Sequence, residues 1–114
     1  MRQVRIYIKD VIGTSNAIIQ KFGIQVFDKT SEIISQGDSA ILDFDGITNL
    51  TSGFCNSSIG QIYTKFPTEA PVKVSIENIK TNSVWFEKIN DAIELAQKPE
   101  KAKIIDDAIL ALFE

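Results

Sequence analysis

The chain has no histidine, only one cysteine and no long apolar run, and each shortage removes a class of function. Without histidine there is no Ser/His/Asp or Cys/His triad, no imidazole general base and no His-ligated zinc or haem. Cys55 alone cannot form an internal disulfide, so stability has to come from packing, which suits a reducing compartment. No stretch approaches the roughly 18–20 consecutive apolar residues of a membrane span. Charges at Arg2, Arg5, Lys9 and Asp10 stand where a signal peptide would be apolar. The expectation is a cytoplasmic protein without membrane contact. Twelve Lys and Arg, scattered singly, face fifteen Asp and Glu for a net charge of −3, which argues against a nucleic-acid surface. A glycine-rich phosphate loop is missing too, and neither cofactor nor metal is expected.

What remains is ordinary globular material. With 114 residues, 44% apolar and 24% charged, the chain suits a single domain over 1–114 with one core. Val4, Ile6 and Ile8 alternate with Arg5, Tyr7 and Lys9, which predicts a strand over 3–9; Val11 and Ile12 before Gly13 suggest a hairpin partner at 10–14. From Ile18 the spacing turns helical through Ile19, Phe22, Val26, Phe27, Ile33 and Ile34, with Thr14, Ser15 or Asn16 as cap and Gly37 just past the end. Gly23 lies inside that stripe and predicts a kink or a later start.

Ser39 to Phe44 reads as a central strand buried on both faces. A second helix, capped by Thr51 or Ser52, carries Phe54, Cys55, Ile59, Ile62, Tyr63 and Phe66 until Pro67 stops it. Val72, Val74 and Ile76 alternate as a strand between Pro71 and Asn78. A third helix starts near Asn82 or Ser83, with Trp85 on its apolar stripe. After Pro99, Ile104, Ile105, Ala108, Ile109, Leu112 and Phe113 predict an amphipathic helix at about 100–113, docked on its own domain or across a dimer. The alternation predicts an α/β fold, a small mixed sheet of about four strands covered by helices, with right-handed crossovers.

One segment is distinctive, ILDFDGITNLTSGFCNSSIGQIY from Ile41 to Tyr63. Its LDFDGI (Leu42 to Ile47), TSGF (Thr51 to Phe54) and Gly60 before Tyr63 resemble the STAS domain, and more closely the STAS-like family of unknown function. IKDVIG (Ile8 to Gly13) and VKVSIEN (Val72 to Asn78) fit that family in order and spacing, and the resemblance runs from residue 6 to about 97. It implies a STAS-like fold and a non-enzymatic regulatory module that binds a protein partner through the loop and helix at 45–60. In the anti-sigma factor antagonists of that family, a partner ATPase of the histidine-kinase-like type phosphorylates a serine at this junction. After a one-residue shortening of the loop, Ser52 takes that place, with Thr51, Asn49, Ser57 and Ser58 around it and Asp43, Asp45 and Gly46 supporting the loop. A phosphate there would add a charge of about −1.5 to −2; simple helix capping explains the same hydroxyls. The chain is expected as a monomer or homodimer.

A second resemblance competes for the same residues. ILDFDGIT is similar to the first motif of haloacid-dehalogenase-type phosphatases, which would make Asp43 the nucleophile and Asp45 the acid and base around Mg²⁺. Ser75, Lys73 or Lys80, and Asp106 with Asp107 would complete that set, although the chain is short for that fold and IIDDAIL reads as a helix. Cys55 near a helix start and Asn78 and Asn82 beside a strand end are further candidates, which packing and capping explain equally well.

Overall fold

A computed structural model of the chain describes residues 2–79 and 83–97. Three strands, β1 (Gln3–Tyr7), β3 (Ser39–Asp43) and β5 (Val74–Glu77), form a parallel sheet in the order β1-β3-β5. Tyr7, Asp43 and Glu77 are register partners at the carboxyl ends. Because the strands are added in one direction, right-handed crossovers carry the intervening helices to the same face. Side-chain alternation agrees: Val4, Ile6, Ala40, Leu42, Val74 and Ile76 all belong to or pack on the core. The central strand is buried from Ala40 to Asp43, as its sequence predicts.

The α/β layering expected from the sequence is present, with differences in detail. Instead of a hairpin partner at 10–14, α1 (Ile8–Ile12) follows β1 at once. Ile8 and Ile12, four residues apart, are buried on one helical face, and Gly13 at φ 74 closes the turn with its N–H on the Lys9 carbonyl at 2.9 Å. The further strands are only two residues each: β2 (Asn16–Ala17) pairs in parallel with β4 (Asn49–Leu50), so no antiparallel pair forms among the described residues.

α2 (Gln20–Ser35) runs unbroken through Gly23. The glycine makes room rather than a kink, since a Cβ there would overlap the Ser57 hydroxyl and sit 2.8 Å from the Phe54 carbonyl oxygen. None of the expected caps serves α2: its N-cap is Ile19, without a side-chain bond, and the Thr14 hydroxyl accepts the Asn16 N–H in a local turn. Gly37, at φ 87, ends α2 as expected, with its N–H on Ile34 and that of Asp38 on Ile33.

The next helix has three parts without a break: α3 (Ser52–Cys55), a π-helical turn (Asn56–Gly60) and α4 (Gln61–Lys65). Lys65 fastens it to α2, with Nζ 2.8 Å from the Ser31 hydroxyl and lying over the rings of Phe27 and Phe66. Pro71 lies not before a strand but in the first turn of α5 (Ala70–Lys73), where its missing N–H costs nothing, so Val72 is 81% exposed and the strand begins at Val74. α6 (Val84–Gln97) starts behind Ser83, whose hydroxyl accepts the Phe86 N–H. Asn82, Lys80, Pro99 and the expected helix at 100–113 lie outside the described residues.

Candidate functional site

Asp43 ties the carboxyl ends of all three strands together. Its side chain is 4% exposed. Oδ2 accepts from Arg5 Nη1 at 2.7 Å, while Oδ1 accepts from the Asn78 amide at 2.6 Å and the Asp45 N–H at 2.9 Å. Arg5 reaches on to Glu77, 3.2 Å away on β5. Burial alone would raise the Asp43 pKa, but the Asn78, Asp45 and Arg5 bonds together outweigh it and hold the group below its ordinary value. The same carboxylate bonds raise the pKa of Arg5. Asn78 takes φ 64, a left-handed conformation that asparagine tolerates, and its amide is thereby aimed at Asp43.

The loop after β3 is stitched to the segment before α2. The Thr48 N–H and hydroxyl both donate to the Ser15 carbonyl, at 2.8 and 3.3 Å, and the Asn49 amide donates to Asn16 Oδ1 at 2.6 Å. Thr51 is the N-cap of α3: its hydroxyl accepts the Phe54 N–H at 3.2 Å and donates to the Ile18 carbonyl at 2.8 Å. Most of the loop's hydroxyls and amides therefore serve this seam. From α6, Lys88 Nζ donates to the Leu50 carbonyl at 2.9 Å.

Residues 23–84, more than half of the chain, match the model of a family described as a STAS-like domain of unknown function. The chain belongs to that family. No curated protein and no solved structure matches it. The matched stretch of the STAS-like domain reaches from within α2 to the first residue of α6 and contains β3, the loop after it and the helix from Ser52 to Lys65, whereas the loop's partners Ser15, Asn16 and Ile18 precede it.

Within the STAS-like domain the candidate serines separate. Ser52, at the first helical position behind Thr51, is exposed, and its hydroxyl makes no hydrogen bond among the described residues. Ser57 and Ser58 are buried: Ser57 donates to Gln20 and Phe54, and Ser58 donates to Phe54 at 2.7 Å. These two hydroxyls serve the Phe54 carbonyl where the wide π turn interrupts the α pattern, so they belong to the interior. Asn49 is exposed but held by Asn16; Asp45 and Gly46 form the exposed turn that Asp43 supports.

Cys55 is fully buried, and burial pushes its thiol up to about 12 despite the nearby Lys88 charge. Ser75 is exposed on β5, Lys73 is half-buried at the end of α5, and Asp106 and Asp107 lie outside the described residues. The sequence reading missed two residues: Ile18 and Ile19, assigned to a core stripe, are 45% and 44% exposed beside Thr51. Their signal was hidden because α2 starts two residues after Ile18, at Gln20, which leaves both outside its buried face.

Proposed function

We propose that this STAS-like domain is a non-enzymatic regulatory module, and that it binds a protein partner at the exposed strip formed by Ser52, Ile18 and Ile19 around the half-buried Thr51. The observation that carries the reading is the pairing of a free, exposed serine hydroxyl with exposed apolar side chains on a rigidly stitched loop. Apolar residues supply affinity at such a surface, and a phosphate on Ser52 supplies a switch, adding charge of about −1.5 to −2 where the partner would have to desolvate it. By analogy with the anti-sigma factor antagonists, the partner is an ATPase of the histidine-kinase-like type. The module reading is preferred over phosphatase chemistry because Asp43 is buried and both its oxygens are engaged in holding the strand ends, where a nucleophile would have to be open to its substrate.

Pull-down from the native cells with wild type, Ser52→Ala and Ser52→Asp, read by quantitative mass spectrometry, tests this. Wild type and Ser52→Ala should retain an ATPase of that type, and Ser52→Asp should lose it while remaining folded. Equal recovery with Ser52→Asp would place the interface elsewhere.

A further inference from the structure

β1 forms one border of the sheet, and among the described residues it pairs with β3 alone. The Ser39 N–H donates to the Arg2 carbonyl at 2.9 Å, so the pleat turns the backbone groups of Arg2, Val4 and Ile6 towards β3 and those of Gln3, Arg5 and Tyr7 outward. Native sheets blunt such an edge with proline, lysine or a bulge. β1 has none of these, and its one charge, Arg5, is turned back across the sheet to Asp43 and Glu77. Alongside the edge lies a groove of about 250 Å³, lined by Arg5, Ile6, Tyr7, Asp10, Val11 and Lys29. Tyr7 is 46% exposed. Asp10 and Lys29 are both exposed, and neither has an ion-pair partner among the described residues.

We infer that the β1 edge is a homodimer interface, at which a second copy of this chain adds its own β1 antiparallel across a two-fold axis at Arg5. That register sets the outward groups of Gln3, Arg5 and Tyr7 against those of the partner's Tyr7, the partner's Arg5 and the partner's Gln3, so each pair exchanges main-chain bonds and the two sheets become one. The axis stands normal to the sheet, so α1 and α2 of both copies fall on the same face. Charge names the occupant. A patch that meets itself has to carry both signs, and this one does. Asp10 follows the carboxyl end of β1, whereas Lys29 lies in the second half of α2, which leads back to the amino end of β3. Antiparallel docking reverses one copy, and so brings Asp10 of each chain towards Lys29 of the other. A peptide of single charge sign would match one of the two and be repelled by the other. Arg5 meets its own copy at the axis, where its bonds to Asp43 and Glu77 offset the like charge.

Analytical ultracentrifugation of the full chain over a dilution series tests this. Wild type should dimerise, and Asp10→Lys or Lys29→Asp alone should weaken the dimer about tenfold or more by setting like charges across the axis. The double variant Asp10→Lys with Lys29→Asp should restore it. Gln3→Pro should also yield monomer, because it removes an outward N–H and no bond to β3, and its thermal melt at low concentration should stay close to that of the wild type. Amide exchange at Arg5 and Tyr7 should slow as concentration rises. A wild type that stays monomeric wherever it is soluble would overturn the proposal. So would a dimer that ignores Gln3→Pro, or a double variant no tighter than the single ones, since the interface would then lie elsewhere. Protection of the Arg5 and Tyr7 amides at every dilution would assign the edge to the same chain and overturn it as well.

Discussion

Gly23→Ala sets two effects of opposite sign against each other in the middle of α2. Helix propensity favours alanine over glycine by about 1 kcal/mol. Against this, the new methyl would overlap the Ser57 hydroxyl, stand 2.9 Å from the Ser57 Cβ and meet the Phe54 carbonyl oxygen at 2.8 Å. The backbone oxygen cannot move without shifting α3, and overpacking of this kind costs about 1–3 kcal/mol. Ser57 would also be turned away from Gln20 and Phe54, and each lost hydrogen bond is worth about 0.5–1.5 kcal/mol. Sterics should win, with a net loss of about 2 kcal/mol, or on the order of 10 °C in Tm for a chain of this size. Urea denaturation of a double-mutant cycle isolates the contact. Ser57→Gly removes two of the three nearest atoms, so it should cost less in the Gly23→Ala background than in the wild type, by about 1 kcal/mol or more. A Gly23→Ala protein as stable as the wild type would refute the close-approach account and leave propensity as the governing effect.

Three other outcomes are expected. Thr30→Val should stabilise the fold by about 1 kcal/mol in thermal melts, because the Thr30 hydroxyl is fully buried with no hydrogen-bond partner among the described residues, and the substitution keeps its shape. Asp43→Asn should cost about 1–3 kcal/mol at neutral pH. Since the folded Asp43 pKa lies below the unfolded value of about 3.9, the contribution is fully present above that value and fades as pH falls through the folded one. The stability gap between wild type and Asp43→Asn should therefore narrow below about pH 4 in chemical denaturation, and a constant gap would contradict the ion pair. Cys55, buried with its pKa near 12, should resist thiol reagents at pH 8 until the chain unfolds, which stopped-flow labelling can follow.

The parts of the fold that were legible in the sequence are those where one residue type answers one physical demand. The run SAILDF suits a buried central strand, Gly37 ends α2 with the left-handed turn its type allows, and Thr51 caps α3 through its own hydroxyl. Short elements hid. The five residues of α1 alternate plausibly as strand, and only burial of Ile8 together with Ile12 distinguishes the two. Pro71 marks a boundary in either reading, so its place inside α5 depended on contacts remote in sequence. At the candidate site, Ser57 and Ser58 look like surface hydroxyls because serine is polar, yet the π turn buries every residue from Ser57 to Gly60. Asp43 was read as loop support, but its partners Arg5 and Asn78 lie 38 and 35 residues away, beyond any local pattern.

The all-parallel order of the sheet also bears on how the chain finds its fold. Among the described residues no hairpin joins two neighbouring strands, and the partners in both ladders of the three-stranded sheet lie roughly 35 residues apart, so each closure costs about 3 kcal/mol of loop entropy before a ladder bond forms. Neither pairing has an entropic lead over the other. The early bias then falls to contacts between neighbouring crossover helices, above all α2 against the α3–α4 helix, where Gly23 and Ser57 meet. Folding kinetics should accordingly respond more sharply to changes at that helix crossing than to changes of equal equilibrium cost in β1 or β5.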